Sequence, residues 1–85
     1  MADQEPLAEY KLGGFSITVY PNRIEEVVAS FLAKKRTVIP LRNIAGVEKH
    51  LLTGRLTVKT NDGKKKVLNT GPATDRIYEA IMQAL

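Results

Sequence analysis

The chain has 85 residues, no cysteine, one histidine and a formal charge of +4 from 13 basic and 9 acidic side chains. That length makes one domain with a thin core, burying roughly 60–65% of its extended-chain surface. The composition excludes a disulfide-framed module, a thiolate nucleophile and a cysteine or multi-histidine metal site. The charge also falls well short of that of a dedicated nucleic-acid binder.

No apolar run approaches the about 18 residues that span a bilayer. The opening MADQEP is acidic and polar, without the basic-then-apolar order of a signal peptide, so a cytoplasmic protein is expected. Residues 1–14 read as an N-terminal tail with a possible edge strand at 7–12, ended by Gly13-Gly14. Residues 15–85 read as the domain proper.

Residues 15–20 alternate cleanly, with Phe15, Ile17 and Val19 on one face and Ser16, Thr18 and Tyr20 on the other, which predicts a strand. Pro21-Asn22 ends it in a turn. The segment Arg23–Ala29 admits two readings. Asn22 as cap, Glu25 at the third position and apolar residues at 24, 27, 28, 31 and 32 fit a helix. The Pro-Asn turn, the Val27-Val28 pair and the flanking strands favour a strand with a bulge near Glu25-Glu26. Residues 30–35 read as a connection, and 36–41 as a strand in which Pro40 marks an edge, a bulge or the end.

Three further antiparallel strands are predicted at 44–49, Arg55–Thr60 and 64–69, and Asn61-Asp62-Gly63 is the strongest local signal in the chain. Asp and Gly tolerate the left-handed dihedrals that a tight hairpin needs. Pro72 suits the first turn of a helix, so residues 72–85 read as an amphipathic helix capped by Thr70 or Gly71. Its stripe is Ala73, Ile77, Ala80, Ile81, Ala84 and Leu85. The fold expected is mainly β with one C-terminal α-helix, a strongly bent antiparallel barrel of six or seven strands stoppered by that helix.

This order of pieces resembles the small bacterial pleckstrin-homology-like (PH-like) domains. The resemblance is carried by ITVYPNRI at 17–24, TVIPLRNIAGVE at 37–48, LTGRLTVKTNDG at 52–63 and GPATDRIYEAI at 71–81. It implies a two-sheet, strongly bent seven-stranded barrel closed at one end by the C-terminal helix, and it implies a strand at 23–29. Members that bind inositol phosphates carry a basic motif around the loop of the first strand pair. The positions matched to it here are Val19-Tyr20-Pro21-Asn22-Arg23, with one arginine and no lysine.

No residues have the spacing of a catalytic or metal site. His50 lies at a predicted strand end, the serines have no histidine partner, and no glycine pattern cradles phosphate. The expectation is a non-catalytic interaction module with no cofactor and no small-molecule substrate. Its predicted contact with a protein partner or a second copy is Phe31, Leu32, Leu51 and Leu52, which fall in turns at one end. The alternative is an anionic lipid or membrane surface held by Asn22, Arg23, Arg42, Asn43, Asn61 and Lys64, in turns at the other end. Nucleic-acid binding is not expected, because Tyr20 is the one aromatic on an outward strand face and stands alone. The basic runs 34–36 and 64–66 are expected at opposite ends of the barrel.

Overall fold

The computed structural model describes residues 5–85; residues 1–4, the start of the expected tail, lie outside them. The chain forms strands β1 (Ala8–Leu12), β2 (Phe15–Val19), β3 (Arg23–Ala29) and β4 (Lys34–Pro40), then β5 (Ile44–His50), β6 (Arg55–Thr60) and β7 (Lys65–Asn69). Helix α1 (Thr74–Ala84) ends it. β1 supplies the seventh strand, and within each sheet successive strands pair antiparallel, while β4 and β5 do not pair with each other. The ladders fall into two sheets, β1-β2-β3-β4 and β5-β6-β7.

The period of two sorts the side chains. Ile17 and Val19 on β2, Ile24 on β3 and Ile39 on β4 turn inward and meet Leu56 and Val58 of β6 and Leu68 of β7. One end of this two-layer core is covered by α1 through Ile77, Ala80 and Ile81, all buried. Leu85, expected on the same stripe, is exposed. Lys49 of β5 ties the helix down, donating to Asp75 at 3.0 Å with its ammonium 4.7 Å from the Tyr78 ring centre.

Several boundaries differ from expectation. Arg23–Ala29 is a strand without a bulge, because β2 and β4 pair with it in uninterrupted register on both sides. The bulge lies instead in β5, where Ala45 is an extra residue between the pairs Ile44–Thr60 and Gly46–Lys59. β4 begins at Lys34, not at 36, since the short turn closed by the Ser30 N–H to the Ala33 carbonyl (2.7 Å) lets Lys34 face Ala29. The helix begins later than predicted. Gly71–Ala73 form a 3₁₀ turn, and Thr70 gives no side-chain cap. Its hydroxyl instead meets that of Thr74 at 2.7 Å, and Thr74 donates back to the Gly71 carbonyl at 2.8 Å.

The hairpin signal at 61–63 holds in detail. Gly63 has φ +85°, a left-handed value that a side chain would strain. The Asp62 carboxylate accepts from the Thr60 hydroxyl and from the Lys64 N–H.

Candidate functional site

Three turns meet at one end of the molecule. The Leu41 N–H donates to the Asn22 carbonyl at 3.0 Å, the Asn61 N–H to the Asn43 carbonyl at 2.8 Å, and the Asn61 amide to the Arg42 carbonyl at 3.1 Å. Asn22, Asn43 and Asn61 are thus brought to one end, largely by bonds among themselves and their neighbours. Arg23 is engaged as well. Its guanidinium donates to Asn22 (2.9 Å), pairs with Glu25 (2.5 Å) and stacks 3.9 Å from the Tyr20 ring centre. Arg42 and Lys64 are exposed and make no ion pair among the described residues. A hollow of about 450 Å³ lies beside Arg42, lined also by Asn22, Arg23 and Val38, whereas Lys64 borders a separate groove. The loop of the first strand pair is Gly13-Gly14, so the matched positions 19–23 lie at the second hairpin.

The predicted apolar contact residues lie at two hairpin tips. Phe31 and Leu32 sit between β3 and β4 and are 100% and 88% exposed; Leu51 and Leu52, between β5 and β6, are 57% and 104% exposed. None of the four caps the core. The basic runs are kept apart by register. Lys34 lies at the tip end of β4, whereas Lys64 and Lys65 adjoin the Asn61 turn, which meets the segment after the far end of β4.

The sequence reading missed two buried carboxylates. Glu25 and Glu26 are each only 6% exposed and lie on opposite faces of β3. On the outer face Glu25 is held by Arg23 and, at 2.8 Å, by Arg36. Beside it Thr18 donates to Glu9 at 3.1 Å. On the inner face Glu26, opposite Ile17, is reached by Lys66 of the other sheet at 2.9 Å. The signal was present: two acids inside a central apolar strand need cations, and the runs 34–36 and 64–66 supply them. Two of the six cations in those runs are therefore internal counter-ions.

His50 is exposed, with Nε2 3.3 Å from the Thr57 hydroxyl and 3.9 Å from Glu48. Lys59, bonded to Glu48 at 2.5 Å, holds that carboxyl below the usual range. The bond to Asp75 raises Lys49, and the Thr60 hydroxyl together with the Lys64 N–H lowers Asp62. Among the described residues no group of three or more His, Asp or Glu side chains is placed to hold a metal ion, and no helix is long and apolar enough to cross a membrane.

Comparison with protein-family models and with curated proteins gives no match. Among solved structures, the chain is similar to the crystal structure of the C-terminal domain of an unknown protein from Leishmania infantum. The TM-score is 0.74 at 18% identity, over 95% of this chain and 84% of that one. At that identity the likeness is one of fold alone, and the fold in this chain is two antiparallel sheets of four and three strands capped by a C-terminal helix.

Proposed function

We propose that the chain is a non-catalytic PH-like interaction module of the small bacterial type, acting in the cytoplasm, that binds protein or a second copy of itself through Phe31, Leu32, Leu51 and Leu52. The observation that carries this is the full exposure of Phe31 and Leu52 at hairpin tips. A domain with a thin core gains nothing in its own fold from apolar side chains held in water. Burying such a side chain yields about 1.5–3 kcal/mol. Four of them give a gross gain comparable to the about 4–15 kcal/mol that association costs. The contact is therefore weak and reversible.

Light scattering or sedimentation over about 10 μM to 1 mM, a range that brackets such affinities, tests the self-associating form. A mass that rises with concentration supports it, and a strict monomer throughout removes it and leaves the separate-partner form. A second reading is binding to an anionic lipid surface, favoured by the exposed Arg42 and Lys64 beside the gathered turns at Asn22, Asn43 and Asn61. Co-sedimentation with anionic vesicles tests it. Salt-sensitive binding that is lost in Arg23→Glu with Arg42→Glu would rank this reading first.

A further inference from the structure

β4 and β7 are the outermost strands of their sheets, and both line one open groove of about 660 Å³. β4 contributes Val38 and Ile39 to it, and the β6–β7 hairpin contributes Asp62, Lys64, Lys65 and Lys66. The Lys66–Glu26 pair spans the gap between the sheets there.

The ladder phase shows which backbone groups are open. The Leu41 N–H bonds the Asn22 carbonyl, so in the β3–β4 register Ile39 and Thr37 spend their N–H and C=O on β3. Arg36 and Val38 therefore direct theirs away from the sheet, and Pro40, which has no N–H to offer, bounds the open stretch. Val38 also leaves about half its side chain in water, at 48% exposure. Across the groove Lys66 is spent on Glu26, while Lys64 and Lys65 make no ion pair among the described residues. Asp62, the acid on that wall, is occupied by the Thr60 hydroxyl and the Lys64 N–H.

We infer that this groove takes an extended acidic peptide, which adds as a strand to the open edge of β4 with its carboxylates toward Lys64 and Lys65. An open edge supplies affinity through the backbone, and the lysine wall supplies selection by charge. The site uses other residues than the hairpin tips and does not depend on them.

The test uses a blocked peptide of about eight residues, the length of a common strand, alternating glutamate and valine. A lysine–valine peptide is the control, and amide resonances are followed by NMR. The acidic peptide is expected to shift the Arg36, Val38 and Lys65 amides saturably, to slow exchange at the Val38 N–H, and to weaken as salt rises. Lys64→Glu with Lys65→Glu is expected to weaken it at least about tenfold, by turning attraction into repulsion. Val38→Pro is expected to abolish binding while the fold persists, since the N–H it removes faces outward. The absence of saturable shifts at about 1 mM peptide, the weak end of specific binding, overturns the proposal. So does equal binding of the lysine peptide, or stronger binding at these amides by a single-stranded oligonucleotide or an anionic vesicle. Shifts confined to residues 31–32 and 51–52 also overturn it, and would leave the tip reading standing.

Discussion

Glu26 is the residue at which the two sheets meet in charge. It shares the inner face of β3 with Ile24 and lies opposite Ile17, a position where an unpaired carboxylate would be costly. Lys66 answers it from the other sheet while keeping part of its own stem in water. Such a pair adds little against an apolar pair of the same volume, but losing one partner strands the other. Lys66→Met is therefore expected to cost about 1–3 kcal/mol in urea unfolding, below the cost of breaking a wholly buried pair because water still reaches the site. The double variant Glu26→Leu with Lys66→Met is expected to return to within about 1 kcal/mol of the parent. A single variant as stable as the parent would show that Glu26 is hydrated. Glu25 is cushioned differently, because Arg23 and Arg36 both hold it and the loss of Arg36 leaves a guanidinium in place.

Elements in this chain are set by their turns, and the β6–β7 hairpin is the plainest case. Asp62 closes it by accepting from the Thr60 hydroxyl and the Lys64 N–H, and those bonds lower its carboxyl below the usual value of about 3.9. A carboxyl lowered in the folded state stabilises the hairpin above its unfolded value, and that contribution is lost as the pH falls through the folded value. NMR titration is expected to give an Asp62 midpoint below about 3.9, with the Thr60 and Lys64 amides moving in the same step; a midpoint at or above that value would detach the turn from its charge. Gly54 is a second fixed point, with φ +66° and a position where a Cβ would fall 2.9 Å from the Gly71 backbone. Gly54→Ala is expected to cost more than about 1 kcal/mol in the same urea assay, and a neutral result would mean that this turn rearranges freely. The Asp62-Gly63 turn, the alternation in β2 and β6 and the spacing of α1 were all legible in sequence, because each is a local pattern. The start of β4 was not, since Lys34 and Lys35 have no apolar period and are fixed only by facing Ala29 and Val28. Nor was the late start of α1, because Pro72 suits a 3₁₀ turn as well as an α-turn, and the Thr70–Thr74 contact selects between them. Tip and core-capping residues share the same apolar pattern, so the exposure of Phe31 and Leu52 could come only from the fold.

At the scale of the whole molecule, the small core and the exposed apolar side chains impose opposite demands. The core is two thin layers and one helix, and a domain of this size holds a net stability of only about 5–15 kcal/mol. Ile81, fully buried where α1 meets the sheets, is part of that margin, and Ile81→Ala is expected to cost about 2–5 kcal/mol. The same class of residue at the tips contributes nothing to it. Phe31→Ser with Leu52→Ser removes two large apolar side chains that touch only water, so stability is expected to stay within about 0.5 kcal/mol of the parent for each site. If the tips are the contact surface, the double variant nevertheless loses association in light scattering or partner capture. Unfolding curves and association are measured on the same samples, so fold and binding are read separately. A tip variant that unfolds early would mean that these side chains fold back onto the core in solution. One that keeps both its stability and its association would move the contact surface elsewhere on the molecule.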